Sequence, residues 1–196
     1  MNKIDFYYDF RSPFAYFAFH RRHLFLDKGA EINWKPVLVS ALINLQVDRQ
    51  PLDVVIDPMS PAKRSHFMSD IFRLIAHWEI PFAPPQPTPP VCNKAMAMAA
   101  ILAAEGKDQF EFIERVFRAV WQEQEDAEST RFLEACQKES LKDVSLSDMD
   151  IEKGMRILIE NTENAYKLSV FGTPTFIHNE QLYFGADRME LLASTL

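Results

Sequence analysis

Ser12 and Pro13 stand side by side after an aromatic, β-branched run, Ile4 to Tyr8, and ahead of a stretch free of helix breakers that reaches Lys28. Such a pair marks a helix start: serine suits the N-cap, and proline at N1 has no N–H to waste and already has a helical φ. The first turn of a helix keeps unpaired N–H groups and the positive end of the dipole, so the Ser12 hydroxyl lies where an anion is favoured. A second candidate is Thr173-Pro174, which follows Gly172 and precedes the strand-like run Thr175 to His178. Proline there removes a ladder donor and so calls for a reason. A third is Asp187, which with Glu190 three residues on has the pattern of an N-cap and capping box for a last helix. The two cysteines, Cys92 and Cys136, form no CxxC or zinc spacing and read as buried small hydrophobes. His20 with His23, and His66 with His77, lack acidic partners, so no metal site is expected.

The elements that position these residues follow from periodicity. Ile4 to Tyr8 predicts a buried strand, Pro13 to Lys28 a helix closed at Gly29, and Ile32 to Val39 a second strand parallel to the first. Ala62 to Trp78 predicts an amphipathic helix through Phe67, Ile71, Leu74, Ile75 and Trp78. Pro81 to Pro90 holds six prolines in ten residues and predicts a stiff polyproline-like connector. Asn93 to Glu105, Gln109 to Glu123, Thr130 to Lys138 and Asp148 to Leu168 predict four more helices, separated by Gly106, Glu123 to Ser129 and Ser140 to Ser147. On them Met96, Met98, Phe110, Phe112 and Phe117 read as core. Thr175 to His178 and Gln181 to Phe184 predict a hairpin about Asn179-Glu180. The order β-α-β, helical block, β-β-α is that of an α/β fold with a central sheet and helices on both faces.

Composition is consistent with one large folded unit or a small one with an insertion. The 196 residues are 47% hydrophobic and 25% charged, and the net charge of -7 comes from 21 basic against 28 acidic side chains. No basic block is present, which argues against a nucleic-acid partner. No apolar run reaches 18 residues and none opens the chain, so neither a membrane span nor a secretory leader is expected and the expected location is cytoplasmic.

Three segments together resemble one family: Phe6 to Tyr16 (FYYDFRSPFAY), Phe171 to Phe176 (FGTPTF) and Phe184 to Leu192 (FGADRMELL), supported by Ile32 to Leu38 and Pro61 to Arg64. They are similar to the DsbA-like thioredoxin branch and, within it, to kappa-class glutathione transferases and 2-hydroxychromene-2-carboxylate isomerases. The resemblance implies a thioredoxin-like domain of residues 1–60 and 170–196, with an α-helical domain, 61–169, inserted between its halves. Thioredoxin oxidoreductases carry CxxC at the strand-to-helix junction, where the helix N-terminus lowers a thiol pKa and a second thiol resolves the mixed disulfide. Here the positions are Ser12, Pro13, Phe14 and Ala15, so disulfide exchange is not expected and the sulfur must come from a ligand.

That ligand is implied to be glutathione. Ser12 would hold its thiolate, and Thr173, ahead of an expected cis Pro174, would clamp its cysteinyl part through a free N–H and C=O. Asp187 would take the γ-glutamyl ammonium. Lys63 matches the family's lysine, while Arg49 and Arg64 are further candidate cations. Two positions depart from the pattern: Ala186 stands where the family usually has Ser or Asn, and Asp48 where it tends to have Asn. The implied function is a glutathione-dependent isomerase acting on an aromatic pyruvate. The alternatives are a kappa-like transferase acting on a small electrophile and a redox-inactive peptide-binding module. A homodimer is also implied.

Overall fold

Ile4, Phe6 and Tyr8 alternate with Asp5 and Tyr7 along β1 (Lys3–Tyr8), so the strand buries one face completely and part of the other. In this computed structural model, which describes residues 2–56, 59–140 and 151–196, β1 lies inside a four-stranded sheet. It pairs in parallel with β2 (Glu31–Pro36), Lys3 opposite Glu31 and Tyr8 opposite Pro36. On its other side it pairs antiparallel with β3 (Thr175–His178), Tyr7 opposite Thr175. β4 (Gln181–Phe184) closes the hairpin, and the order is β2-β1-β3-β4. Asn179 and Glu180 both take positive φ, 47° and 63°, as a two-residue hairpin turn of the primed type requires.

The Ile4, Phe6, Tyr8 face packs against α1 (Pro13–His20) and α2 (His23–Leu26) through Tyr16, Phe19 and Phe25. Tyr7 lies on the opposite face with Val37, Leu42, Ala165 and Val170. The predicted single helix to Lys28 is thus two. The chain breaks at Arg21 and Arg22, whose guanidinium groups reach distant partners, Ala186 and Glu190 for Arg21 and Glu114 for Arg22. Long-range contacts override local propensity there.

The second strand also ends early, at Pro36, and α3 (Val39–Leu45) follows it. The apolar run VLVSALINL suits strand or helix equally by composition. The main-chain N–H of Val39 donates to the Asp9 carboxylate at 2.9 Å, which satisfies one of the free donors of α3.

α4 (Pro61–Trp78), α5 (Asn93–Ala104), α6 (Phe110–Arg118), α7 (Thr130–Ser140) and α8 (Ile151–Lys167) all fall between β2 and β3 in the chain. α6 runs into a π-helical turn, Ala119–Glu123, ended by Gln124 at φ 56°. α5 and α8 pack so closely that a Cβ on Gly154 would stand 2.6 Å from the Ala97 carbonyl oxygen. The predicted break at Ser140 to Ser147 and helix start at Asp148 lie largely outside the described residues. Residues 81–90 form neither helix nor strand, and the Gln86-Pro87 and Thr88-Pro89 bonds are cis. The segment is tied down by the Ala83 N–H to the Trp121 carbonyl at 2.6 Å and by Thr88 to the Pro85 carbonyl at 2.6 Å.

The last helix differs from expectation. Ala186–Arg188 is a 3₁₀ turn preceded by Gly185, and α9 (Met189–Ala193) has Arg188 at its N-cap. Asp187 therefore lies inside the turn and caps nothing, because Glu190, the expected other half of the box, pairs with Arg21 instead. A partly buried arginine is a stronger partner for that carboxylate than a solvated main-chain N–H.

Candidate functional site

Ser12 caps α1 with extended backbone, φ -91° and ψ 115°. Its Oγ accepts from the Ala15 N–H at 3.2 Å and donates to the Thr173 carbonyl oxygen at 3.1 Å. The cap and the link to the far end of the chain coexist in one hydroxyl. The Thr173-Pro174 bond is cis. The Thr173 Oγ1 is buried and, among the described residues, has no hydrogen-bond partner. Ser12 and Thr173 are each 8% exposed, so the junction is covered but reaches the surface.

Behind Ser12 is a carboxylate that sequence reasoning missed. Asp9 is fully buried and accepts from the main-chain N–H of Arg11 and Val39, both at 2.9 Å, and from the Arg11 guanidinium at 2.6 Å. Burial opposes the Arg11 charge, but Asp9 outweighs it and holds the guanidinium above its ordinary value. A charged residue directly after the buried end of β1, Phe6 to Tyr8, was the available signal, since a buried carboxylate needs several donors.

The Thr173 turn and the 185–187 turn are joined by the Gly185 N–H, which donates to the Pro174 carbonyl at 3.0 Å. Gly185 has φ 103°, and a Cβ there would stand 2.4 Å from Asp187 Oδ1, so only glycine lets the Asp187 carboxylate fold back over it. The other oxygen, Oδ2, accepts from Arg188 at 2.9 Å, and both side chains are exposed. Ala186 is buried, and its carbonyl takes a hydrogen bond from Arg21 at 2.8 Å. The Arg21 guanidinium lies 4.0 Å from the centre of the Trp78 ring, tying α4 to this turn.

Asp48 follows α3 with φ 56° and is exposed. Gln46 brings its segment near the Thr173 turn by donating to the Phe171 carbonyl at 3.0 Å. Lys63 is exposed in the first turn of α4, one helical turn before Phe67, whose ring meets Phe14 at 4.8 Å. The structure thus brings Ser12, Thr173 and Pro174 into contact and links Ala186 and Asp187 to them through Gly185. Among the described residues no hydrogen bond joins Asp48 or Lys63 to Ser12 or Thr173.

Other reactive groups stand apart. Cys92 is fully buried, and burial, reinforced by Asp9, pushes its thiol well above the usual range. It is a poor nucleophile. Among the described residues no three His, Cys, Asp or Glu side chains gather as a metal set, and no helix is long and apolar enough to cross a membrane. Clefts of ≈ 370 and ≈ 550 Å³ lie at the β2 edge beside Tyr7 and Gln109 and beside Pro87 and Glu128, and neither is lined by Ser12 or Thr173.

A strand-to-helix serine hydrogen-bonded to the residue before a cis proline, at the end of a central mixed sheet, defines a thioredoxin-like α/β protein. The chain belongs to the DSBA-like thioredoxin domain family, whose model matches residues 3–196. It is 29% identical over 212 residues to a glutathione S-transferase kappa 1 of Caenorhabditis elegans, covering 99% of this chain and 90% of that one. A 2-hydroxychromene-2-carboxylate isomerase of Sphingobium xenophagum is 28% identical over 201 residues, with 98% and 97% covered. The solved structure of a 2-hydroxychromene-2-carboxylate isomerase superposes with a TM-score of 0.73 at 24% identity, with 98% of this chain and 93% of that chain covered. The cytosolic disulfide reductase DsbM of Pseudomonas aeruginosa, solved with GSH, superposes with a TM-score of 0.60 at 18% identity, with 98% of each chain covered.

Proposed function

We propose that the protein is a glutathione-dependent isomerase of the 2-hydroxychromene-2-carboxylate isomerase type. The observation that carries the reading is the Ser12 hydroxyl at the N-terminus of α1, hydrogen-bonded to the Thr173 carbonyl ahead of cis Pro174, with no sulfur at positions 12 to 15. These residues fit the tripeptide. The unpartnered Thr173 Oγ1 can meet a polar ligand atom, the Thr173 main chain can pair with a cysteinyl unit, and the exposed Asp187 can receive an ammonium. When bound, glutathione supplies a thiolate that adds reversibly to a conjugated pyruvate side chain and so permits rotation before elimination.

The chain's own part is donation and orientation. The Ser12 hydroxyl turns from the Thr173 oxygen toward the sulfur, and the free N–H groups of α1 add to the stabilisation of its charge. Turning away releases the Thr173 carbonyl to accept from the ligand main chain. Asp187 exchanges Arg188 for the ammonium, and Lys63, on the first turn of α4, serves a carboxylate. Ala186 brings no polar side chain, so the γ-glutamyl end is held by fewer contacts, and Asp48 requires a neighbouring cation such as Arg49.

A transferase outcome is the second reading, favoured by the kappa-class relative. It differs in whether the adduct is released. We also propose a homodimer, for which light scattering at about twice the chain mass over a wide dilution range is the check. A thermal-shift titration tests the ligand: glutathione should raise the melting temperature with concentration, by an amount that follows the logarithm of one plus its concentration over Kd. A rise with an unrelated extended peptide, and none with glutathione, would replace the enzyme reading with a peptide-binding one.

A further inference from the structure

The peptide between Phe10 and Arg11 is the centre of the turn that carries the chain from β1 to Ser12, and it is gripped at both ends. Asp9 accepts from the Ser12 N–H at 3.0 Å, which makes Phe10 and Arg11 the two middle residues of a four-residue turn. The N–H of this middle peptide, that of Arg11, donates to Asp9 Oδ1 at 2.9 Å. Its carbonyl, that of Phe10, accepts from the Trp121 indole N–H at 2.8 Å. Reversal of this one peptide is what separates type I from type II turns, so two hydrogen bonds hold the turn in one form.

Trp121 reaches Phe10 from the π-helical turn after α6. A π turn closes from residue i to i+5, so it takes in one residue more than an α-helical turn and rotates the side chains that follow. Trp121 is 3% exposed, and its ring lies nearly parallel to Tyr16 and Phe82, at 20° and 25°. Tyr16 stands one turn beyond Ser12 on α1, and its main-chain N–H bonds to the Ser12 carbonyl at 3.1 Å. One tryptophan therefore touches the turn before Ser12 and the helical turn after it.

We infer that Trp121 is a positioning residue for Ser12: its indole N–H fixes the Phe10–Arg11 peptide and through it the direction of the Ser12 hydroxyl. The inference rests on the glutathione reading for its catalytic meaning, but its geometric part holds without ligand. Misplacement of a catalytic group by about 1 Å is worth about a hundredfold in rate, so a distant donor of this kind has a measurable effect.

Two variants test it. Trp121→Phe removes the donor, and site-specific replacement of Trp121 by its benzothienyl analogue, in which sulfur stands for the indole N–H, removes it without changing shape. The second keeps the test valid if the first fails to fold. Ile113→Val, which shortens a buried side chain on α6, is the control for general loosening. Without ligand, amide hydrogen exchange at Ala15, whose N–H bonds to Ser12 Oγ, should speed up about tenfold or more in both variants, the scale of losing one hydrogen bond, and not in the control. With glutathione, its Kd measured at a pH well below the bound-thiol midpoint should stay within about twofold, while the pH midpoint of the bound thiol, read by thiolate ultraviolet absorbance, moves up toward that of free glutathione by about one unit, a tenfold change in thiolate stabilisation. Unchanged Ala15 exchange in the analogue overturns the inference, as does an unchanged thiol midpoint in a protein that binds glutathione. Failure of the wild-type protein to bind glutathione overturns the function proposed above, while the Ala15 measurement still decides the role of Trp121.

Discussion

The hydroxyl of Ser12 donates to the main-chain oxygen of Thr173 at 3.1 Å, so the two residues expected to grip a ligand grip each other. The carbonyl of Thr173, expected to be free, is occupied until the Ser12 hydroxyl turns away. In the glutathione reading proposed above, binding would be an exchange of partners, in which one internal hydrogen bond gives way to two with the ligand.

Ser12→Ala separates the cap from the chemistry. The variant should lose about 1 kcal/mol through the cap, with a further loss of similar size from the unpaired Thr173 oxygen. Glutathione-dependent turnover should fall by about two to three orders of magnitude, as for deletion of one preorganised donor. Ser12→Gly keeps most of the capping stability and should lose the same activity. Denaturant melts and initial rates check both, and near-normal turnover in either would reduce the hydroxyl to a cap.

Arg21→Met should loosen the 185–187 turn. The change removes a charged donor from the Ala186 carbonyl, a partner from Glu190 and a cation from Trp78. A hydrogen bond from a charged group contributes about 1.5–3 kcal/mol, so the melting temperature should fall by several degrees and glutathione affinity by about tenfold. Calorimetric titration checks the second effect. Unaltered affinity with lowered stability would show that the turn takes no part in binding.

His20 at the acid end and Tyr7 and Tyr16 at the alkaline end limit stability in pH. His20 lies on α1 between Tyr16 and Gln122, with Arg22 and Glu114 near it, and burial with the Arg22 charge lowers its pKa below the usual 6.5. The unfolded chain therefore takes up the proton first, and stability falls as pH drops below about 6.5. Tyr7 and Tyr16 are pushed up to about 12, chiefly by burial. The unfolded chain loses those protons first, so stability also falls between about pH 10 and 12. His20→Gln should flatten the acid side in urea midpoints measured across pH, and Tyr16→Phe with Tyr7→Phe should lessen the alkaline fall without abolishing it, because the fully buried Tyr8 is also held well above its ordinary value.

Gly154→Ala should destabilise without touching the site. The added methyl would stand 2.6 Å from the Ala97 oxygen, and overpacking of this kind costs about 1–3 kcal/mol. Chemical denaturation should show the loss, while turnover per folded molecule stays at the wild-type level.

Local signals in the sequence were enough for β1, for the Ser12-Pro13 start of α1 and for the hairpin, because each is set by residues within a few positions of one another. The same holds for α4, predicted from Ala62 and observed from Pro61. Elements decided by distant partners were not legible. The break at Arg21 depends on Ala186 and Glu190, the first N–H of α3 is satisfied by Asp9, and the expected capping role of Asp187 is lost when Arg21 takes Glu190. At the site, the Ser12 and Thr173 segments were visible as motifs, but the hydroxyl-to-carbonyl contact between them, the buried Asp9 and the reach of Trp121 arise only from packing.

Ser12 and Thr173 are separated by 161 positions, and β1 gains its second neighbour only when β3 is available to pair with it. Contacts of such long range form late in folding. During synthesis the β1–β2 pair and α1 to α8 leave the ribosome before that partner does, and one edge of β1 stays open to foreign strands meanwhile. Chains that stop before Thr173 therefore carry Ser12 without its partner, and the contact between the two forms only when both halves of the sheet are present.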